Sequence, residues 1–184
     1  MNGREAIVAY LALMARQHET LVACAGEVGA EGLWWQPGPK QWSIGENLDH
    51  LRVIYHSMLG MIRGAWAIFA PLARLRRGRP YQVEIDNVYR RPAFPQKVGW
   101  IWPPKYTPGH PVLLPVLRAN LDNERSRWEA FYTTHDPDLL GNVYLWDPAI
   151  GSLNLIQTLR VGTYHDEMHL EQVQETAHRW QAKP

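Results

Sequence analysis

The chain has 184 residues and a formal net charge of +1, because 19 lysines and arginines nearly balance 18 aspartates and glutamates. This length suits one domain with a complete apolar core. The balanced charge favours neither a nucleic acid nor an acidic partner. The single cysteine, Cys24, excludes an intrachain disulfide and favours a reducing compartment. Because the N-terminal segment lacks the apolar run of a secretory signal, we expect one cytoplasmic domain, residues 1–184.

Four segments carry apolar residues at the spacing of an α-helix. They span about residues 4–29, 44–70, 111–134 and 152–181. Ser43 and Glu46 form the pattern of a capping box before the second segment, and Pro71 predicts its end. The most apolar region, residues 57–73, is interrupted by Arg63 and Pro71. We therefore expect a buried helix there rather than a membrane span.

A long connection, residues 71–108, separates the second and third predicted helices. In a four-helix bundle, two consecutive helices that run parallel need such a crossover. Residues 81–89, YQVEIDNVY, alternate in polarity and predict a short strand or hairpin. The basic run at 74–79, RLRRGR, lacks the interleaved aromatic residues of a nucleic-acid surface, so we interpret it as a solvated segment. The elements together predict an all-α fold, a four-helix bundle.

Helical phase assigns several histidines to inward faces. On the last helix, His165 and His169 are four residues apart, so both imidazoles can reach one metal ion. His50 lies beside the apolar stripe of the second helix, and His18 lies within that of the first. A metal ion and a neutral hydrogen-bonded histidine network both account for such a set. The pattern alone leaves both interpretations open.

Two further polar residues, Asn47 and Glu124, also face inward and are candidates for acid–base or ligand-supporting roles. Their alternative role is helix packing. His56 and His178 fall on outward faces. Neither a cysteine nor an inward aspartate is expected near the inward histidines, so we expect a metal site with an open position. A di-iron bundle is disfavoured because it would need inward Glu-x-x-His pairs.

Two sequence runs also resemble a known family. The run WWQPGPKQWSIGENLDHL, residues 34–51, resembles the segment of DinB-like (YfiT-like) proteins that leads into the second helix and ends on a metal-ligand histidine. The run GSLNLIQTLRVGTYHDEMHLEQV, residues 151–173, is similar to the last helix of that family, with its H-x-x-x-H-L-x-Q ending. The resemblance implies an up-down-down-up four-helix bundle with a three-histidine site. Its ligands would be His50, His165 and His169, while His18 matches no family ligand and is expected to line the pocket.

The same resemblance implies a metal-dependent hydrolase or thiol S-transferase, in which one divalent ion activates water or a small thiol. Zinc or nickel is expected ahead of iron or manganese, and a low-molecular-weight thiol is an optional second cofactor. The alternative is a non-catalytic, stress-associated module that binds a metal or another ligand. We expect a small-molecule substrate, with neither a membrane nor a nucleic acid as partner, and leave a homodimer open.

Overall fold

The computed structural model describes residues 1–91, 111–147 and 150–183. The helices are α1 (Gly3–Glu27), α2 (Gly29–Leu33), α3 (Ile44–Arg74), α4 (Leu114–Thr134), α5 (Pro137–Leu140) and α6 (Leu155–Gln181). A 3₁₀ turn covers Val88–Arg90, and an antiparallel pair of strands consists of β1 (Tyr144–Asp147) and β2 (Gly151–Asn154). The described part of the chain is mostly helical, as the sequence predicted.

The capping box predicted at the start of α3 is confirmed. The Ser43 hydroxyl accepts from the Glu46 N–H at 3.2 Å, and the Glu46 carboxylate accepts from the Ser43 N–H at 2.6 Å. The prediction that the last helix begins near Ser152 is wrong, because Ser152 lies in β2. The side chain of Asn154 caps α6, so the helix begins at Leu155. The short hairpin before α6 was not predicted.

The second predicted helix is longer than expected. Pro71 lies inside α3, which continues to Arg74. A proline removes one helical hydrogen bond, here the bond to the carbonyl of Ala67. Because Ala67 and Pro71 are both exposed in the last turns, water can bond that carbonyl, and the helix tolerates the proline. The third predicted helix begins at Leu114 rather than near residue 111.

The strand or hairpin predicted over residues 81–89 is wrong. Residues 81–87 form no regular element, and the 3₁₀ turn follows them. Side chains of α1, α6 and the residue that caps α6 donate to the backbone carbonyls of this segment, in place of a partner strand. The donor–acceptor pairs are Tyr10–Val83, Asn154–Gln82, Gln157–Glu84 and Tyr164–Ile85. Residues 92–108 of the predicted crossover lie outside the described ranges.

The long helices pack in two pairs, α1 with α6 and α3 with α4. Within each pair, contacts that lie further along one helix also lie further along the other. Contacts between α1 and α6 include Gly3–Ile156, Gln17–Thr163 and His18–Asp166. Between α3 and α4, Tyr55 and His56 contact Trp128 and Glu124 respectively, and Trp66, further along α3, contacts Phe131, further along α4. The apolar sides enclose one core, in which Met14, Leu51, Trp128 and Leu159 are fully or almost fully buried.

Within the described ranges, α3 has the length and apolar composition that a membrane-crossing helix requires. A core helix of a soluble protein meets the same test, so this finding is weak support for a span. The first turns of α3 also bury Glu46 and Asn47.

Candidate metal centre

Three histidines from two helices converge between α3 and α6. The Nε2 atom of His165 lies 3.4 Å from Nε2 of His50 and 3.2 Å from Nε2 of His169. One nitrogen from each of the three rings lies within 4.8 Å of the other two. Two nitrogens on one tetrahedral zinc ion lie about 3.3 Å apart, given metal–nitrogen bonds of about 2.0–2.1 Å. The three rings therefore have the spacing of a ligand set, and no carboxylate or cysteine of the described ranges joins them.

Asn47 fixes the orientation of His169. The Asn47 side-chain amide donates to the Ser43 carbonyl at 2.8 Å, which leaves its Oδ1 atom 2.7 Å from Nδ1 of His169. Because an amide oxygen only accepts, Nδ1 of His169 must carry the proton. A neutral ring then has its lone pair on Nε2, the atom that faces His165. This is the tautomer that a metal ligand needs.

Burial keeps the three imidazoles neutral. It lowers the pKa of His50 to about 4, against a small opposing effect of Asp49. Burial lowers the pKa of His165 to about 3, and the neighbouring His50 adds to the effect. Burial, with His165 and His50, brings the pKa of His169 well below 6.5. At neutral pH each ring therefore has one nitrogen with a free lone pair, and a lone pair is what a cation binds.

A neutral hydrogen-bonded network, the other interpretation of these histidines, provides fewer partners for the ring nitrogens than a metal ion does. The Nε2 atom of His165 is close to two other nitrogens at once. If it carried a proton, a single N–H would have to serve both His50 and His169. An ion at the centre accepts all three lone pairs together.

Two aromatic residues border the cluster. The ring of Trp42 lies 4.7 Å from that of His50, and the ring of Tyr89 lies 5.5 Å from that of His165, measured between centroids. His50 and His165 are only partly buried, so the cluster is not sealed from solvent. The sequence singled out neither residue, although Trp42 directly precedes the predicted helix cap.

The position of Tyr89 follows from its neighbours in the 3₁₀ turn. Val88 is fully buried against Leu153 and Val161. On the other side, Arg90 pairs with Glu167 at 2.8 Å. These contacts hold the turn against α6, one turn of helix from His165.

A buried polar group lies on the other side of α6. Asp166 is fully buried, accepts a hydrogen bond from the Tyr55 hydroxyl at 2.6 Å and lies 3.1 Å from Nε2 of His18. Burial, followed by the nearby carboxylate, raises the pKa of Tyr55 well above 10. The expectation of no inward aspartate near the histidines is thus wrong. One residue along a helix turns the side chain by about 100°, which directs Asp166 toward α1 and not toward the cluster.

The other two candidates from the sequence, His18 and Glu124, have partners outside the histidine cluster. His18 is buried beside Asp166 and Tyr55. Glu124 is buried and bonds to Arg127 at 2.8 Å and His56 at 3.1 Å, which joins α4 to α3.

The outward predictions agree with the structure, because His56 is largely exposed apart from its contacts with Glu124 and Arg127, and His178 is exposed.

Comparison with known proteins identifies the family of this chain. No curated protein and no solved structure matches the chain. The family model of the DinB superfamily matches residues 13–173, which include all three clustered histidines and most of the chain. The protein belongs to the DinB superfamily.

Proposed function

We propose that this protein is a metal-dependent enzyme in which His50, His165 and His169 hold one divalent ion. The observation that supports this most is the convergence of three neutral imidazoles at ligand spacing, with the lone pair of His169 directed inward by Asn47. Three nitrogen ligands suit zinc or nickel, ahead of iron or manganese. Such an ion, when bound, supplies Lewis-acid activation of water or of a small thiol. The reaction class is hydrolysis or thiol S-transfer.

We infer that the four long helices form an up-down-down-up bundle. This is supported by the contacts of α1 with α6 and of α3 with α4, which advance in parallel within each pair. In that arrangement both ligand-bearing helices, α3 and α6, contribute to one interior, and His50 meets the pair on α6 across their interface.

The surface between Trp42 and Tyr89 is where a substrate would reach the ion. Both rings flank the ligand histidines that are partly exposed. Three protein ligands leave at least one coordination position for a small molecule. Aromatic walls suit an apolar or planar substrate portion, as in most ligand sites.

The other polar candidates have supporting roles in this proposal. Asn47 positions His169 and does not touch the substrate. Glu124 could act as an acid or base only by leaving Arg127 and His56, so its contacts favour a helix-joining role. His18 is separated from solvent, and its contact with Asp166 favours support of the α1–α6 interface over a place in the pocket.

Metal analysis of protein purified without an affinity tag tests the site. We expect about one divalent ion per chain in the wild type and a large loss in each of His50→Ala, His165→Ala and His169→Ala. The matched control is His178→Ala, because His178 is exposed on the same helix as two of the ligands. Equal loss in the control, or full metal content in the three variants, would contradict the ligand set.

A substrate screen separates the enzyme from a non-catalytic module. Wild type and His169→Ala are each assayed with esters in water and with small thiols plus electrophiles. Turnover by the wild type that the variant lacks identifies the reaction class. A metal-loaded wild type without turnover in either screen would favour the binding module.

A further inference from the structure

The C-terminal part of α3 exposes large apolar side chains to solvent. The exposed fractions are 67% for Ile68, 58% for Leu72 and 80% for Leu75, which follows the last helical residue. At 100° per residue, these three side chains fall within an arc of about 60°. Ala67 and Pro71, also exposed, extend the same apolar face. We call this surface, residues 67–75, the α3 tip.

Arginines border the α3 tip. Arg63 and Arg74 lie at one edge of the apolar arc, and Arg76 and Arg79 follow in the turn after the helix. None of the four has a side-chain hydrogen bond or ion pair with the described residues, whereas Arg77 pairs with Asp136. The sequence has no aspartate or glutamate between residues 50 and 83. The α3 tip therefore combines exposed apolar side chains with four arginines that have no ion pair among the described residues.

We propose that the α3 tip docks on an anionic lipid surface. Apolar side chains that enter the boundary between headgroups and acyl chains, with arginines beside them at the headgroups, are the two components of peripheral membrane binding. The sequence predicted no membrane partner because Arg63 and Pro71 interrupt the apolar run. That interruption prevents a span, but docking at a surface does not require one.

Charge decides between this partner and the alternatives. A second copy joined by the same face would bring two sets of unpaired arginines together, with no acidic residue of residues 50–83 to compensate. A nucleic acid would satisfy the arginines but leave Ile68, Leu72 and Leu75 without an apolar environment. An anionic bilayer offers negative charge to the arginines and an apolar environment to the three apolar side chains.

The proposed contact is independent of the metal centre. Ile68 follows His50 by eighteen residues on one helix, which places it roughly 27 Å away at 1.5 Å per residue. Substitutions at the α3 tip should therefore leave metal content unchanged. Far-UV circular dichroism can serve as a check that each variant is folded, and failure of lipid binding would not bear on the proposed enzyme.

Vesicle co-sedimentation tests the proposal. The full chain is mixed with vesicles of phosphatidylcholine alone and with an equimolar mixture of phosphatidylcholine and phosphatidylglycerol. We expect binding to the mixed vesicles, weakened by salt, and little binding to the neutral ones. In Arg74→Gln with Arg76→Gln, binding should fall about fivefold per arginine. In Leu72→Ser with Leu75→Ser, it should fall on the order of tenfold per leucine.

Matched controls use the same residue types elsewhere on the surface. Arg16→Gln and Val8→Ser change an exposed arginine and an exposed apolar residue of α1 and should bind vesicles like the wild type. Equal binding of all variants, or no binding to the mixed vesicles, overturns the proposal. Dimerisation that Leu72→Ser abolishes, or salt-sensitive retention of DNA without vesicle binding, would assign the surface to a second copy or to a nucleic acid instead.

Discussion

Replacing Asn47 tests whether the orientation of His169 matters for metal binding. In Asn47→Ala, Nδ1 of His169 loses its acceptor at 2.7 Å, and the proton is free to move to Nε2, the atom that should bind the ion. Removing such a ligand-orienting hydrogen bond typically lowers metal affinity about 10- to 100-fold. Zinc affinity measured by competition with a chromophoric chelator should therefore fall by that factor, with the helical circular dichroism unchanged.

The control for this variant is Asn142→Ala. Asn142 is also buried and donates to the carbonyl four residues earlier, that of Asp138, at 2.9 Å. Asn47 makes the equivalent bond to Ser43. The control thus removes the same local bond without affecting a histidine, and its zinc affinity should stay at the wild-type value. Wild-type affinity in Asn47→Ala would refute the tautomer argument, as would an equal loss in the control.

Two further outcomes concern stability. Chelation should lower the melting temperature but leave the far-UV helical signal at room temperature, because the apolar core does not depend on the ion; loss of the helical signal would make the site structural. Tyr55→Phe should destabilise by about 1.5–3 kcal/mol, because it removes a donor from the buried carboxylate of Asp166. Tyr132→Phe, which loses only a bond to the carbonyl of Leu155, should cost about 1 kcal/mol in denaturant unfolding. Equal costs would show that the Asp166 charge is not the cause.

The helices could be predicted because their signals are local. Apolar spacing and the Ser43–Glu46 cap located α3, and Asp136-Pro137 follows the end of α4 at Thr134. The errors occurred where a local signal competes with a distant one. Residues 81–87 alternate like a strand, yet their carbonyls bond to side chains of α1, of α6 and of its cap, more than 70 positions away in sequence. No pattern within the segment contains that information.

In the candidate site, too, local features could be predicted from the sequence, whereas contacts between helices could not. Helical phase placed His50, His165, His169 and also His18 on inward faces, because interior faces are readable from spacing. The family resemblance then limited the expected ligands to the first three. Phase could not show that Asp166, next to His165, pairs with Tyr55 and His18, because those partners belong to other helices. It also could not show that Asn47 meets His169, since 122 positions separate them. The inward orientation of a side chain can be read from one helix, whereas a hydrogen bond between two helices depends on how both are placed.

Residues 43–50, at the start of α3, contain the helix cap, Asn47 and one histidine of the candidate metal site. The Ser43 carbonyl accepts from both the backbone and the side-chain nitrogens of Asn47, at 3.1 and 2.8 Å. The cap that begins the helix therefore also holds the amide that orients His169. His50 follows Asn47 by three residues, nearly one turn, and so lies on the same side of the helix. Ser43 therefore serves both helix initiation and the orientation of His169, so changes that loosen the cap should disturb the candidate metal site as well as the fold.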